Sequence, residues 1–379
     1  MNILIWAPFI QKVGTTTNVE NLIYCLTKFS KKKCHIDLLN VFGEWDDYEF
    51  EDKNVNIISL SKLNFIKHNK KNGFIRSRFY TILIILYSFV PLLRFFKRKN
   101  YDFVFAHLIT SLPILVCGLI KKKPKLILSI AGFPKLTFLR SIFWKFSENN
   151  IYRIICPSKE TKDLFIKKNI FKPEKLYVIR DPHINVKKIL KEKKIKLEEQ
   201  IDRTKTIVSI GRLTKQKNYI FLLQAFKKIL NIRDDLKLII IGDGEDKRLI
   251  EKKINEFNIQ KNVNLVGFQK NIYKYLNNSL CYFSASLWEG PDLAMLDAAF
   301  LNVPLICSDC KSGRKEFIKN NERGYIFRTN DMESLLITFK KFLNEDKIEL
   351  RKKILESKKE VKNFTRFRYY KNLQQILYN

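Results

Sequence analysis

Negative charge is what this chain has least of. It carries 38 Asp and Glu against 71 Lys and Arg, a formal net charge of +33 over 379 residues. From Lys53 to Ser147 there are 18 Lys or Arg and a single acid, Asp102. So basic a stretch attracts nucleic acid, anionic lipid or polyphosphate. No zinc-finger or RNA-binding signature accompanies it, which argues against nucleic acid as a partner. Cysteine is present without organisation: the seven residues form no disulfide framework. Cys307 and Cys310 make a lone C-x-x-C with no second pair and no neighbouring His, which does not complete a zinc site. Cys307 lies in a strand-like run and is expected in the core as a small hydrophobe. This usage fits a reduced, cytosolic protein. The opening MNILIWAPFI lacks the basic n-region and cleavage site of a signal peptide and reads as a buried strand. A long apolar span is missing too. The uncharged run Phe79–Leu93 holds 15 residues, where a spanning helix wants about 20, and Pro91 sits near its end. It fits a helix packed on a sheet. It also fits an interfacial helix whose flanks, Arg76, Arg78, Arg94 and Lys97 to Lys99, rest on anionic lipid.

What is there alternates. Apolar runs at Asn2–Phe9, His35–Val41, Val55–Leu60, Asp102–Leu108, Lys125–Ile130, Arg153–Cys156 and Lys175–Ile179 are separated by helical segments. That pattern predicts a parallel, doubly wound α/β sheet. It restarts at Thr206–Gly211 and continues through Leu236–Ile241, Val263–Val266, Leu280–Phe283, Pro304–Cys307 and Gly324–Phe327. Length and pattern together predict two Rossmann-like domains, at 1–185 and 203–362. Lys187 to Lys205, with eight Lys or Arg, four acids and no Gly or Pro, reads as an exposed linker.

Two stretches of the second half carry chemistry. Gly211-Arg212-Leu213-Thr214-Lys215-Gln216-Lys217-Asn218 follows a strand and opens a helix. Its glycine lets backbone approach a ligand, and Arg212 and Lys217 can flank a diphosphate. In Ser286–Pro304, Glu289 and Gly290 precede Pro291, a residue suited to a first helical turn. Leu293, Leu296 and Phe300 mark one buried helix face, and Asp297 lies within that helix. Eight residues separate Glu289 from Asp297, roughly 12 Å of helical rise. That is about the reach from the sugar to the ribose of a nucleotide-sugar.

These residues resemble the E-x7-E signature of family 4 retaining glycosyltransferases, with Asp297 in place of the second Glu. The segment from Gly211 resembles the same family's G-R-L-x-x-x-K-N, and Pro304–Ile318 its strand and turn after the motif. The resemblance implies the GT-B fold, two Rossmann-like domains facing across a cleft, with the last helix, about 364–379, crossing back to the N-terminal domain. It implies that Arg212 and Lys217 hold the donor diphosphate and that Glu289 contacts the donor sugar. Backbone N–H groups between Gly290 and Leu293, those of Gly290, Asp292 and Leu293 around Pro291, are implied to meet sugar and phosphate, and Asp297 to bind the ribose. Gly211, Gly267 and Phe268 complete the donor site, the last two beside the nucleobase. Asp292 stands where relatives usually have glycine, which puts a negative charge in the first helical turn; its carboxylate is suited to capping the helix, in competition with phosphate. The N-terminal domain is implied to hold the acceptor. Gly14 matches half of the family's paired glycines, and His107, at the C-terminal end of a strand, is the acceptor-side candidate. The turn Ser129–Pro134 has no titratable side chain to act as general base. Ile241-Gly242-Asp243-Gly244 reads as a structural turn, and no metal or other cofactor is expected.

The function implied is transfer of a sugar from a nucleotide-sugar to a lipid-linked or lipopolysaccharide-type glycan. It would take place at the cytoplasmic face of a bacterial membrane, with the basic N-terminal stretch against anionic lipid. Two other readings remain: a nucleotide-sugar epimerase or hydrolase of the same fold, and a non-catalytic protein that binds polyanions or membranes.

Overall fold

The computed structural model describes residues 1–9, 14–50, 52–60, 74–132, 134, 136–197, 201–289, 292–310 and 313–378. The chain divides into two compact units, Met1–His183 with Arg366–Asn379, and Ile184–Thr365.

In the first unit, strands β1 (Asn2–Trp6), β2 (His35–Asn40), β3 (Val55–Ser59), β4 (Phe103–Ala106), β5 (Lys125–Ser129), β6 (Arg153–Cys156) and β7 (Leu176–Val178) form one parallel sheet, in the order β3-β2-β1-β4-β5-β6-β7. Its helices are α1 (Gly14–Phe29), α2 (Phe74–Arg98), α3 (Ser111–Gly118), α4 (Phe138–Phe146) and α5 (Lys159–Lys167). The central strands are apolar at almost every position because both faces are covered. Leu4, Val104 and Leu126 meet α2 and α3 on one face. Ile3, Phe105 and Ile127 meet α1 on the other.

The second unit opens with α6 (Val186–Glu192). It continues with β8 (Thr206–Ile210), α7 (Tyr219–Leu230), β9 (Lys237–Ile241), α8 (Lys247–Glu256), β10 (Val263–Leu265) and α9 (Tyr273–Leu276). Then come β11 (Cys281–Ser284), α10 (Leu293–Phe300), β12 (Leu305–Ser308), α11 (Arg314–Ile318), β13 (Tyr325–Phe327), α12 (Met332–Leu343) and α13 (Lys347–Val361). The sheet is again parallel, ordered β10-β9-β8-β11-β12-β13. α7 and α12 cover one face, α10 and α13 the other.

In both sheets the strand order reverses beside the first strand, between β1 and β4 and between β8 and β11. Such a reversal leaves a crevice at the C-terminal strand ends, the usual ligand position of open α/β sheets. The runs predicted as strands therefore form strands, ordered so that each unit has one such point.

The domain boundary differs from the sequence reading. Residues from 187, expected to be linker, begin as α6, which Asn185 caps by accepting the Lys188 N–H. Ile184 and Ile189 are buried in the second unit's core, so that unit starts at Ile184 and not near 203. Charged exposed residues hid two buried isoleucines.

The last helix, α14 (Arg366–Leu377), belongs to the first unit and packs on α1. Tyr369, Tyr370, Leu373, Ile376 and Leu377 are buried among Leu22, Ile23 and Leu26. α2 settles the two readings of Phe79–Leu93 in part: Ile84, Leu92 and Phe96 are buried against the sheet, while Ile82, Leu86 and Val90 are exposed. Among the described residues, no helix is long and apolar enough to cross a membrane.

If α14 is an integral part of the first unit's core, Leu373→Ala costs about 2–5 kcal/mol, as for a fully buried leucine. Urea unfolding of the full chain reads this as an earlier first-unit transition with an unchanged second-unit one.

Candidate active site

The site of the second unit begins with two backbones pressed together. After β8 the chain passes Gly211, whose N–H donates to the Ile241 carbonyl at 3.0 Å. Gly242 lies underneath with a φ of 152°, and a Cβ there would fall 1.9 Å from the Gly211 carbonyl oxygen. Only glycine allows that approach. The Gly242-Asp243-Gly244 turn is thus a floor: Asp243 accepts the Leu213 N–H through its backbone carbonyl at 2.9 Å. Over Gly211 runs the Lys217 side chain, whose Cε would be 2.5 Å from a Cβ on that residue. The glycine in the Gly-Arg-Leu motif therefore makes room for the lysine six residues on.

Lys217 ends a single 3-10 turn, Lys215–Lys217, after which Asn218 takes the left-handed conformation and α7 begins. The turn is stitched to the chain leaving β11. The Gln216 carbonyl accepts the Leu287 N–H at 2.8 Å, and Gln216 Nε2 donates to the Trp288 carbonyl at 2.8 Å. This brings Lys217 Nζ to 2.6 Å from Glu289 Oε1. Both side chains are largely covered, 15% and 7% exposed. Gln216 Nε2 reaches the other Glu289 oxygen at 3.4 Å. Arg212 is exposed and makes no ion pair among the described residues.

Asp292 caps the helix as its position in the sequence suggests, and the structure adds a buried partner. Its carboxylate is 2% exposed, caps α10 by accepting the Met295 N–H, accepts the Tyr282 hydroxyl at 3.2 Å and is clasped by Arg314 through Nε at 3.0 Å and through Nη2. Arg314 is completely buried. It also donates to Ser308 Oγ at 2.9 Å and Ser284 Oγ at 2.6 Å, and approaches Glu289 Oε1 to 3.6 Å. Burial alone would push the Asp292 carboxyl up, but the charges of Arg314 and Lys217 outweigh it and hold the group below the ordinary carboxylate range. Sequence reasoning missed Arg314, Gln216 and the two serines, Ser284 and Ser308. In a chain with 71 Lys and Arg, nothing local marks one arginine as buried; only the run of serines around β11 and β12 hinted at a buried polar partner.

The other expected donor residues are spread around this centre. Leu293 begins α10, and Asp297 lies buried in it; the Tyr273 phenol is pushed up by its own burial first and then by the charge of Asp297. Gly267 accepts the Gly242 N–H at 2.9 Å, which ties the end of β10 to the same floor, and Phe268 stands exposed beside it. Gly290 and Pro291 lie outside the described residues.

In the first unit, Gly14 opens α1. His107 follows β4, its N–H donating to the Trp6 carbonyl at 3.0 Å across the strand reversal. It is 4% exposed, and burial pushes its imidazole down to about 4. Nε2 has no hydrogen-bond partner among the described residues. His107, Thr110, Ser129 and Ile130 line a cavity of about 810 Å³ that is bordered by Thr81 of α2 and by Leu139, Arg140 and Phe143 of α4. Ile109 beside it has a φ of +47°, costly for a β-branched residue; the Trp6 indole N–H donates to its carbonyl at 3.3 Å.

Residues 191–361 match the family described as glycosyl transferases group 1. The chain is 29% identical over 270 residues to the UDP-Gal:alpha-D-GlcNAc-diphosphoundecaprenol alpha-1,3-galactosyltransferase of Escherichia coli, covering 66% of this chain and 68% of that one. It is 32% identical over 152 residues to a Campylobacter jejuni N-acetylgalactosamine-N,N'-diacetylbacillosaminyl-diphospho-undecaprenol 4-alpha-N-acetylgalactosaminyltransferase, covering 40% of this chain and 41% of that one. Matches to curated relatives span from 19% to 68% of those relatives' length. Among solved structures, the lipopolysaccharide outer core galactosyltransferase WaaB in its apo form superposes with a TM-score of 0.72 at 18% identity, covering 100% of this chain and 99% of that one. The fold of the whole chain is GT-B.

Two measurements test these environments. Arg314→Met leaves Asp292 buried and uncompensated, a loss of about 3–5 kcal/mol in urea unfolding at neutral pH. That deficit shrinks as pH falls and Asp292 takes up a proton; adding Asp292→Asn recovers part of it. For His107, the ordinary imidazole value of 6.5 lies above the folded value of about 4, so the unfolded chain protonates first. Stability therefore falls as pH drops from about 6.5 towards about 4, and His107→Gln flattens that part of the pH profile.

Proposed function

We propose, for a GT-B chain whose residues 191–361 form a group 1 glycosyl transferase domain, that the protein transfers a sugar from a nucleotide-sugar to a lipid-linked glycan, with retention at the anomeric carbon. The observation that carries this reading is the covered Lys217–Glu289 pair at 2.6 Å, held at the strand reversal between β8 and β11. A nucleotide-sugar needs a cation at its diphosphate and an acceptor of hydroxyl hydrogen bonds at its sugar. One pair supplies both, and the exposed Arg212 adds a second cation.

In this reading the donor diphosphate draws Lys217 Nζ away from Glu289, whose freed carboxylate receives the sugar hydroxyls. The bond from the anomeric carbon to the diphosphate oxygen breaks as the acceptor oxygen bonds from the same face. The acceptor's proton passes to the departing phosphate oxygen, so no protein base is required. Arg212 and Lys217 stabilise the charge that grows on the diphosphate, and preorganised charges in a covered site are the strongest aid to such a step. Asp297 serves the ribose, and the backbone near Gly267 and Phe268 the base. The acceptor belongs to the first unit, near His107. Its lipid-linked class is drawn from the Escherichia coli and Campylobacter jejuni relatives, whose names specify undecaprenol diphosphate glycans. We place the reaction at the cytoplasmic membrane face, where the basic first unit would meet a lipid-linked acceptor.

The test is thermal unfolding with UDP-, GDP-, ADP- and CMP-sugars in turn. A donor at about 100 times its dissociation constant stabilises by about 2.7 kcal/mol. One nucleotide class is expected to raise the second unit's midpoint in the wild type, and Lys217→Ala with Arg212→Ala to abolish the rise. No rise with any nucleotide in a well-folded protein would overturn the reading.

A further inference from the structure

We propose that α4, together with the uncovered face of α2, docks the first unit on an anionic lipid bilayer. The proposal rests on the lipid-linked acceptor above and names the surface that would bring the protein to it. α4 reads Phe-Leu-Arg-Ser-Ile-Phe-Trp-Lys-Phe. Phe138, Leu139 and Phe146 are 79%, 78% and 83% exposed, with Ile142 exposed between them. At 100° per residue these four positions fall within one 100° arc. The opposite side carries Trp144, which is buried and packs edge-on against Phe165. The helix is therefore fixed to the core by its back and presents three large apolar side chains and part of a fourth to water. Single exposed apolar residues are ordinary; a contiguous row of them marks an interaction surface.

α2 repeats the arrangement. Its buried residues Ile84, Leu92 and Phe96 face the sheet, and Ile82, Leu86 and Val90, four apart, form a second exposed row. The two helices border the same cavity, Thr81 from one and Leu139, Arg140 and Phe143 from the other. The occupant is chosen by charge. Lys145 on α4, Arg94, Lys97 and Arg98 on α2, and Lys121 to Lys123 after α3 are exposed. Among the 95 residues from 53 to 147 the only acid is Asp102, which accepts the Asn2 N–H at 2.8 Å. Apolar rows with basic surroundings match the headgroup boundary of an anionic bilayer. A protein partner with an apolar face gains nothing from these exposed cations, and a second copy of this chain would bring like charge against them.

The experiment is flotation of the purified full chain with phosphatidylcholine vesicles, and with vesicles containing phosphatidylglycerol, at ~0.15 M salt where exposed charges are partly screened. Wild type is expected to float with the anionic vesicles. Phe138→Ser with Phe146→Ser, both at exposed positions, is expected to weaken partition by about tenfold per side chain, with unfolding midpoint and nucleotide response unchanged. Leu86→Ser should add to the loss. Equal flotation of wild type and variants would overturn the proposal, as would a wild type that fails to float. A concentration-dependent dimer, seen by sedimentation and abolished by the same substitutions, would overturn it in favour of a second copy. The nucleotide response keeps the outcomes separate: a protein that answers to a donor yet ignores vesicles loses this surface and keeps its donor site.

Discussion

A charge with no access to water governs the second unit. Arg314 is wholly enclosed, and the cost of removing a guanidinium from solvent is met only if its donors find acceptors. They do: Asp292, Ser284 and Ser308. Each acceptor belongs to a different piece of the site. Asp292 caps α10, Ser284 ends β11 and Ser308 ends β12, so one side chain sets the mutual positions of a helix start and two strand ends. Glu289, three residues before the cap, sits 3.6 Å from the same guanidinium. The carboxylate that faces Lys217 is thereby positioned by the group that the interior is obliged to satisfy.

The sheet architecture was plain in the amino-acid pattern because parallel strands covered on both faces leave an unmistakable record. Runs such as KLIII and NILIW need no partner to be understood. The Gly-Arg-Leu and Trp-Glu-Gly segments were legible for a similar reason, since their spacing in sequence is their spacing in the loop. What stayed hidden depended on distance along the chain. Asp292 and Arg314 are 22 residues apart and meet only after β12 has been laid beside β11. Read alone, Asp292 was a helix cap in competition with phosphate; read with Arg314, it is half of a neutral pair. The same holds for residues 184–192, where exposed lysines outnumbered the two isoleucines that decide to which unit the segment belongs.

The two units use one topology to different ends. At the β8/β11 reversal the crevice is ionic: glycines press backbones together, and charged side chains fill the space they leave. At the β1/β4 reversal it is nearly uncharged, with a neutral imidazole, hydroxyls and a backbone held in a costly conformation at Ile109. Near it the charge is displaced outward, to helix ends and loops, and aromatic side chains stand in water on α4. A polar floor with a greasy rim suits a ligand that is itself divided into a polar and an apolar part.

The second unit also enters and leaves the chain at one place. The Ile184 N–H donates to the Phe364 carbonyl at 2.9 Å, and Ile184 pairs in parallel with Thr365. Everything from 184 to 365 is thus an insert whose two ends are already fastened to each other, set into a host whose last helix closes over its first. Closing so long a loop costs little more than closing a short one. A different insert, longer or shorter, would fit the same doorway without rethreading the host. Such a gene can trade its second unit whole while the first unit and its exposed α4 face are left untouched.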